Sequence, residues 1–238
     1  MSVSWLSPPR RIELHQGEAH VWFCDFSGVV DFATASRVLS TAELERAARF
    51  RSDESRLTFV SAHCFLRWIL GTYLEIPAAH VAFGSEVGGK PCLDRGMHAT
   101  DLHFNLSHSH RSAACAIARA PVGIDIERPD PRLCELATAE LVFSAEELGR
   151  LQAFAPTERV EAFFLGWTKK EAYAKCKGIG LTADWKSINL GFVDGNSNFK
   201  GISLSTFACP NNDAAALALT GTLETMALWE VCAESWMP

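Results

Sequence analysis

The sequence predicts a protein of mixed helices and strands that is built from two similar halves. Two observations support this prediction. Strand-like and helical patterns follow one another in the same order in both halves: a strand, a pair of helices and a glycine-containing turn. Helix residues of the first half also recur 104 residues later. We predict halves at residues 1–118 and 119–238, with the cleft between them as the natural place for a ligand.

The first half is predicted to contain a strand, a helix pair and two further strands. Its first helix should begin after Ser40, since Ser40 and Glu43 have the spacing of a capping box ahead of apolar residues. The second helix should end before Pro77, and a glycine-rich turn follows at residues 88–91. The predicted strands are residues 21–25, 102–106 and 113–118, and the predicted long helix is residues 57–74.

The second half shows the same order of patterns. Gly178 and Gly180 are suited to end its long helix, because glycine readily adopts the left-handed backbone of a helix C-cap. The predicted segments are a strand at residues 122–127, helices at 145–153 and 158–177, and strands at 187–192, 201–207 and 226–233.

The repeat is carried by the helix pairs. The residues that match at a spacing of 104 are Ser40, Glu43, Leu44, Arg46 and Phe50 with Ser144, Glu147, Leu148, Arg150 and Phe154. With one residue of slippage, Arg56 and Arg67 correspond to Arg159 and Lys170. Because two amphipathic helices can share such matches by chance, the sequence leaves duplication and coincidence both open.

The composition is that of a globular protein with a large core. Of 238 residues, 48% are hydrophobic and 21% are charged, which excludes a disordered or low-complexity chain. The net charge of -6 argues against a non-specific nucleic-acid binder, which needs a basic surface. Local basic patches are not excluded by this sum.

The cysteines and the apolar segments indicate a cytoplasmic protein. None of the eight cysteines forms a C-x-x-C motif, so zinc ribbons and thioredoxin-like motifs are absent, and we expect reduced thiols in the core. No apolar run has the length of a signal peptide or of a membrane helix. We therefore expect a cytoplasmic location and no membrane partner.

Asp125 and Glu127 are candidate ligands for a metal ion. On a strand they point to one face, while Ile124 and Ile126 point to the other. Two adjacent carboxylates repel each other unless a positive group lies between them, and oxygen ligands suit Mg²⁺. The alternative is that both acids are solvated at the outward-facing end of the strand.

The predicted helix at residues 158–177 concentrates positive charge. Lys169, Lys170, Lys175 and Lys177 lie within nine residues, next to apolar residues that should anchor the helix in the core. We expect a cationic face suited to phosphate oxygens. The alternative is an exposed ion pair between Glu171 and Lys175, four residues apart.

The segment Phe104-Asn105-Leu106-Ser107-His108-Ser109 ends a predicted strand in hydrogen-bonding side chains. These residues are suited to contact a phosphate or a nucleotide, or else they complete a turn, which is the more frequent use of such residues. Gly89-Lys90-Pro91 is by itself an ordinary turn.

In combination these motifs resemble those of the 4′-phosphopantetheinyl transferases. The similarity rests on Gly89-Lys90-Pro91, on residues 104–109, on Val122-Gly123-Ile124-Asp125-Ile126-Glu127 and on the run that begins Trp167-Thr168-Lys169-Lys170-Glu171. Length and spacing resemble the surfactin-synthetase-activating (Sfp-type) class. The resemblance covers residues 40–181 and implies an α+β fold of two pseudo-symmetric halves, each a small antiparallel sheet with packed helices, with the active site in the cleft.

The resemblance also implies an activity and site residues. The activity is transfer of the phosphopantetheine arm of coenzyme A to a serine of an apo carrier protein, with release of 3′,5′-ADP. Asp125, Glu127 and Glu171 would bind Mg²⁺, Lys170 and Lys175 would lie near the pyrophosphate, and Glu147 is a candidate base. The residues implied at the adenosine 3′-phosphate region are Arg46, Arg49, Lys90, Ser107 and His108.

Two points stay open at this stage. Ser144 and Glu147 also have the spacing of a capping box, which gives Glu147 a structural alternative to the role of base. Another Mg²⁺-dependent phosphoryl or nucleotidyl transferase, or a non-catalytic protein that binds carrier proteins, is an alternative function. The expected partners are coenzyme A and an acidic acyl- or peptidyl-carrier protein, with no nucleic acid, and the expected state is a monomer.

Overall fold

The computed structural model describes residues 4–26, 32–86, 88–180 and 184–235, and a four-stranded sheet forms the centre of each half. The elements up to residue 118 are β1 (Glu18–Asp25), α1 (Phe32–Val38), α2 (Thr41–Ala48), α3 (Asp53–Leu74), β2 (Phe83–Ser85), β3 (Pro91–Leu93), β4 (His103–Ser109) and β5 (Ser112–Ala118). Those that follow are β6 (Val122–Glu127), α4 (Leu136–Val142), α5 (Ala145–Ala153), α6 (Pro156–Lys177), β7 (Asn196–Phe199), β8 (Ile202–Ala208), β9 (Ala214–Thr220) and β10 (Thr225–Glu230). Across these ranges, no helix is both long and apolar enough to span a membrane.

Three strands of each sheet follow the same order. In the first sheet, β1 pairs antiparallel with β5, and β5 pairs antiparallel with β4. In the second sheet, β6, β9 and β8 repeat that arrangement, and β7 extends it at the edge. The predicted α+β fold of two pseudo-symmetric halves is confirmed.

The helix pairs repeat as well, including one buried ion pair. In both halves a serine caps the shorter helix and forms a capping box with the glutamate three residues later. That glutamate then binds the long helix: Glu43 lies 2.7 Å from Arg67, and Glu147 lies 2.7 Å from Lys170. Because the matched residues make the same contact in both halves, the sequence repeat reflects a structural repeat and not a coincidence.

The halves share an apolar core where their sheets face each other. Val21 and Phe23 of β1 lie in one cluster with Ile124 and Ile126 of β6 and with Leu217 of β9. All five side chains are 0% exposed. The period of two predicted for β6 is therefore confirmed: its isoleucines point into the shared core, and its acids point to the opposite face.

Helix α6 lies directly against β6 at Gly123. A Cβ atom at this position would lie 2.1 Å from the carbonyl oxygen of Ala172 and 2.4 Å from the backbone nitrogen of Cys176. Glycine is needed for this approach, because any other side chain would meet helix backbone. The approach brings Lys175 of the helix beside Asp125 of the strand.

The structure corrects the prediction for the chain after residue 184. The strand predicted at residues 187–192 is wrong, because Trp185–Ser187 forms a 3₁₀ helix and the following residues form no strand. The central strand β9 is missing from the prediction, since its four alanines have low strand propensity. Small side chains are required there: Ala216 and Ala218 pack in one cluster with Ala172 of α6.

Strand β10 departs from the predicted division of the chain at residue 118. It follows β9 in sequence, but it pairs in parallel with β1 of the first half. Leu6 continues the same sheet through a bridge to Trp229. The strand predicted at residues 226–233 thus exists, and it belongs to the first sheet, while the boundary between the halves stays a prediction.

Replacing Gly123 by alanine is expected to destabilise the protein, because the added Cβ has to displace the backbone of α6. We expect a loss of about 1–3 kcal/mol in the free energy of unfolding, measured by urea denaturation. Gly149→Ala in α5 is the matched control, since nothing lies within 4 Å of its Cβ. Alanine in that helix should add roughly 0.5–1 kcal/mol. Equal effects of the two substitutions would contradict the close contact between β6 and α6.

Candidate active site

The site lies where edge strand β4 of the first sheet runs beside edge strand β6 of the second. Side chains of β4 accept hydrogen bonds from backbone N–H groups of β6 and of Arg128, the residue that follows it. These bonds run from Ile124 N to Asn105 Oδ1 (2.8 Å), from Ile126 N to Ser107 Oγ (3.4 Å) and from Arg128 N to Ser109 Oγ (3.2 Å). They satisfy donors that an edge strand would otherwise leave unpaired. Side chains therefore join the two sheets at the site.

Asp125 is the central acid of the site and is 3% exposed. Its Oδ1 accepts hydrogen bonds from Ser107 Oγ at 2.9 Å and from Lys175 Nζ at 2.6 Å. Its Oδ2 is buried and has no hydrogen-bond partner among the described residues. Because an unsatisfied buried carboxylate oxygen is costly, this atom is suited to receive a further positive group.

A pocket of about 270 Å³ opens over Asp125. Its lining residues are Leu106, Ser107, His108, Asp125, Glu127, Trp167, Glu171 and Lys175. Glu127 lies on the same face of β6 as Asp125 and accepts a hydrogen bond from Ser109 Oγ at 3.1 Å. Glu171 precedes Lys175 by one helical turn, so both reach the pocket from α6. The structure thus brings the three predicted acids and Lys175 together.

The three carboxyl groups have raised pKa values, and burial is the largest cause for each. Burial raises the pKa of Asp125, and the charge of Lys175 partly offsets this effect. Burial and the negative charge of Asp125 raise the pKa of Glu127 to about 7. The same two causes raise the pKa of Glu171. Burial therefore disfavours the charged form of all three acids.

The donor set fits a hard divalent cation, although the acids are not drawn together around one. In the part of the chain that the structure describes, no group of three or more His, Cys, Asp or Glu side chains is arranged to hold a metal ion. Lys175 Nζ lies instead against Asp125 Oδ1. The buried Oδ2 of Asp125 and the carboxylates of Glu127 and Glu171 nevertheless supply the oxygen ligands that Mg²⁺ prefers.

Lys170 is buried between helices rather than exposed in the pocket. It is 0% exposed, and its Nζ lies 2.7 Å from Glu147 Oε2. It also donates to the carbonyl oxygens of Val142 at 2.9 Å and Trp185 at 2.8 Å. These three acceptors use all three donors of the ammonium group. The structure gives Lys170 a structural role in place of the predicted contact with pyrophosphate.

Glu147 has the capping role that competes with its predicted role as a base. It accepts a hydrogen bond from Ser144 N at 3.0 Å, which completes the capping box. Its Oε1 accepts from Leu190 N at 3.1 Å and from Gly191 N at 3.3 Å. With Lys170 on Oε2 and 1% exposure, both carboxylate oxygens are committed within the protein. The geometry does not bring Glu147 to the pocket.

The basic face predicted on α6 is only partly present. Lys175 lines the pocket and Lys177 is exposed. Lys169 is 0% exposed and donates to the carbonyl oxygen of Leu190 at 2.9 Å. The prediction is wrong for Lys169 and Lys170, because α6 is covered by loops on that side and backbone carbonyls satisfy the buried ammonium groups.

Two of the residues predicted near the 3′-phosphate lie beside the pocket. Desolvation lowers the pKa of His108, and the nearby positive charges of Lys175, His63 and Arg46 lower it further. The Arg46 guanidinium lies 5.1 Å from the centre of the Phe59 ring. His108 therefore lines the pocket as a neutral imidazole, and Arg46 is one of the positive charges close to it.

The other three residues predicted there have different surroundings. The hydroxyl of Ser107 lines the pocket, but it donates to Asp125 and accepts from Lys175 at 3.0 Å. Lys90 Nζ donates to the carbonyl oxygen of Val122 at 2.9 Å. Arg49 is the exposed C-cap residue of α2.

His63 is a residue of this region that the sequence patterns do not single out. Its Nδ1 lies 3.0 Å from Glu43 Oε1, and its ring centre lies 4.0 Å from that of Phe59. Phe59, His63 and Arg67 follow each other at intervals of four residues, which places them on one face of α3. That spacing is the signal from which His63 could have been predicted.

A pocket lined by three carboxylates, a lysine and a histidine lies between two similar halves. Comparison with known proteins supplies the family. The model of the 4′-phosphopantetheinyl transferase superfamily matches residues 121–220, and that of the 4′-phosphopantetheinyl transferase N-terminal region matches residues 28–120. The chain belongs to the 4′-phosphopantetheinyl transferase family and is of the Sfp type.

Three relatives illustrate the similarity. The chain is 36% identical to 4′-phosphopantetheinyl transferase HetI of Nostoc sp. over 75% of its length and 76% of the relative. It is 32% identical to the transferase psf-1 of Bacillus pumilus, over 78% of its own length and 75% of the relative. It is 30% identical to the transferase Sfp of Bacillus subtilis, over 64% of its own length and 66% of the relative. The protein is therefore an enzyme that transfers phosphopantetheine to carrier proteins, and coenzyme A is the substrate that its family uses.

Glu147→Gln is expected to lower the free energy of unfolding by about 3–5 kcal/mol, because it leaves the buried ammonium of Lys170 without its ion-pair partner. Glutamine still forms a capping box, so the loss reports the ion pair. Glu146→Gln is the matched control, since the side chain of Glu146 is 59% exposed and pairs with Arg150 at the surface. This substitution should lower the free energy of unfolding by less than about 1 kcal/mol.

Urea unfolding and steady-state transfer are measured on both variants. A Glu147→Gln protein as stable as the control, but roughly 10²–10⁴-fold slower in transfer, would contradict the structural role and restore Glu147 as the base.

Proposed function

We propose that the protein transfers the 4′-phosphopantetheine arm of coenzyme A to a serine of an apo acyl- or peptidyl-carrier protein, in a Mg²⁺-dependent reaction that releases 3′,5′-ADP. The pocket in which Asp125, Glu127 and Glu171 accompany Lys175 supports this most directly. Transfer at a pyrophosphate requires positive charge near its oxygens and near the departing phosphate. A pocket whose acids bind Mg²⁺ and whose lysine contacts the substrate is suited to supply positive charge at both places.

Asp125, Glu127 and Glu171 are the residues that we propose to hold Mg²⁺. The unpaired, buried Oδ2 of Asp125 offers one oxygen, and the other two acids reach the same pocket from β6 and α6. When bound, Mg²⁺ neutralises charge on the pyrophosphate oxygens and makes the phosphorus more open to attack. The raised pKa values of the acids agree with a site that is completed by a cation.

Lys175 is the side chain that we propose to bind the pyrophosphate. Its side chain is 28% exposed, so its ammonium can reach a substrate in the pocket while it stays close to Asp125. Ser107 orients it by accepting a hydrogen bond from its Nζ at 3.0 Å. The positive charge then offsets the negative charge that develops on the departing 3′,5′-ADP.

Glu171 is our candidate for accepting the proton of the attacking serine. Together with Trp167 it borders both the main pocket and a second, apolar cavity of about 110 Å³ that Trp185 also lines. Its carboxylate lines the pocket, so it can come within hydrogen-bonding reach of a serine hydroxyl that enters there. Glu147 is less suited, because both of its oxygens are already bound.

His108 and Arg46 are the proposed contacts of the 3′-phosphate, with Arg49 at the outer edge of the same face of the protein. A phosphate adjacent to several cationic groups gains charge-assisted hydrogen bonds. Arg46 supplies a positive charge near the pocket and His108 offers a ring N–H to the phosphate, whereas Ser107 is committed to Asp125.

The carrier protein is proposed to approach the open side of the pocket. Carrier proteins of this kind are acidic, and Arg128, with a side chain that is 43% exposed, follows Glu127 at this rim. Asp213 holds Arg128 in place at 3.3 Å. We also propose that the enzyme acts as a monomer in the cytoplasm.

The direct test is mass spectrometry of a panel of apo carrier proteins from fatty acid, polyketide and peptide synthesis. Each is incubated with the enzyme, coenzyme A and MgCl₂. We expect a gain of one phosphopantetheine on at least one carrier, with an equal amount of 3′,5′-ADP, and loss of both products in EDTA. A full reaction in EDTA would contradict the role of Mg²⁺. Absence of a phosphopantetheine gain on every carrier would contradict the proposal that apo carrier proteins are the acceptors.

Glu171→Gln tests the site within the same assay. We expect kcat to fall at least about 10²-fold, because the substitution removes both a ligand and the proposed proton acceptor. Glu161→Gln is the matched control, since Glu161 is exposed on the same helix, and its kcat should equal that of the wild type. Equal activity of the two variants would remove Glu171 from the site.

A further inference from the structure

Lys90 lies at a junction of three segments that come from both halves of the molecule. It follows the glycine turn of the first half and directly precedes β3. Its Nζ donates to the carbonyl oxygen of Val122, the first residue of β6, at 2.9 Å. It also donates to the carbonyl oxygen of Cys176, in the last turn of α6, at 3.5 Å. One side chain of the first half thus binds both elements that carry the acids of the site.

The backbone of the glycine turn touches the end of α6 at the same place. Gly88 has a φ of +98°, and a Cβ there would lie 2.6 Å from the carbonyl oxygen of Gly178. Gly178 is the left-handed C-cap residue of α6. The aliphatic part of Lys90 also passes within 4.0 Å of the Cβ position of Gly178. The junction is therefore closely packed and not a loose surface contact.

The end of a helix is a suitable partner for this ammonium group. The last four carbonyl groups of an α-helix have no partner within the helix and carry partial negative charge. Cys176 provides one of these groups, and Val122 provides a second acceptor from the neighbouring strand. Lys90 is half-buried, so these bonds replace part of its hydration.

The two acceptors are close in sequence to the central ion pair of the site. Val122 precedes Asp125 by three residues, and Cys176 directly follows Lys175. Lys175 Nζ lies 2.6 Å from Asp125 Oδ1, and this distance depends on how β6 and α6 lie against each other. A bridge between the two backbones holds that relative position.

We propose that Lys90 is a positioning residue: it fixes the last turn of α6 against the start of β6 and thereby sets the geometry of Asp125, Glu171 and Lys175. This proposal rests on the proposed function of the site. It replaces the expectation that the side chain of Lys90 binds the 3′-phosphate. The two roles differ in the kinetic parameter that they affect, because a ligand of the substrate changes KM, whereas misplaced reacting groups change kcat.

The test compares Lys90→Met, Lys90→Arg and Lys200→Met. Lys200→Met is the control, since Lys200 is an exposed lysine of the turn between β7 and β8. For Lys90→Met we expect kcat to fall roughly 10- to 100-fold, with KM for coenzyme A within about twofold of the wild type. The preference for coenzyme A over dephospho-coenzyme A should not change. Lys90→Arg keeps donors for both carbonyls and should restore most of the activity.

Amide hydrogen exchange of residues 174–178, measured without coenzyme A, gives a readout that does not depend on activity. We expect faster exchange in Lys90→Met than in the wild type or in Lys200→Met. Assays are run at a temperature at which circular dichroism shows each variant to be folded. If Lys90→Met does not fold, Lys90→Gln, which keeps a donor group but no positive charge, takes its place in the same comparison.

The outcomes separate the proposal from the function on which it rests. A raised KM with unchanged kcat and a reduced preference for coenzyme A would overturn the proposal and make Lys90 a phosphate ligand. Unchanged exchange at the end of α6 would overturn it as well. Faster exchange in a protein whose wild type transfers nothing to any carrier would support the junction and contradict the proposed function.

Discussion

The buried carboxylate of Asp125 imposes the constraint that the surrounding structure meets. A carboxylate that is 3% exposed requires hydrogen bonds and a positive charge close by. Ser107 supplies the hydrogen bond from the first half, and Lys175 supplies the charge from α6. Lys175 can approach only because Gly123 lets α6 lie against β6. Both halves must therefore be folded together before the site exists.

The two halves share a scaffold but differ on the strand face that carries the acids. Both halves contain the capping glutamate that pairs with a basic residue of the long helix. On β6, the face opposite the shared core carries acids, whereas the corresponding face of β1 carries Trp22 and Cys24 in an apolar cluster. The first half keeps the scaffold and contributes β4 side chains, and the second half carries the chemistry. The ion pair of Glu147 and Lys170 belongs to the scaffold.

Sequence patterns predict the long helices and the strands β1, β4, β5 and β6, because their apolar periods are regular and their caps are recognisable. They fail for β9, where alanines are needed to make room for α6, and for short elements such as β2 and β3, which are set by neighbouring segments. At the site, Asp125, Glu127 and Glu171 could be predicted from the alternation of β6 and the family motifs. The positions of Lys90, Lys169 and Lys170 could not be predicted, because the carbonyl groups that bind them come from segments distant in sequence.

We propose that the acids around Asp125 need more positive charge than Lys175 supplies, and that a divalent cation provides it. Titration calorimetry of Mg²⁺ at pH 7, in buffers with different heats of ionisation, tests this claim most directly. Burial and the negative charge of Asp125 raise the pKa of Glu127 to about 7, and a bound cation lowers that pKa. We predict that Mg²⁺ binding at pH 7 releases protons, that fewer are released at pH 8, and that Glu127→Gln reduces the release at pH 7. Absence of Mg²⁺ binding, or binding at pH 7 without proton release, would contradict the account.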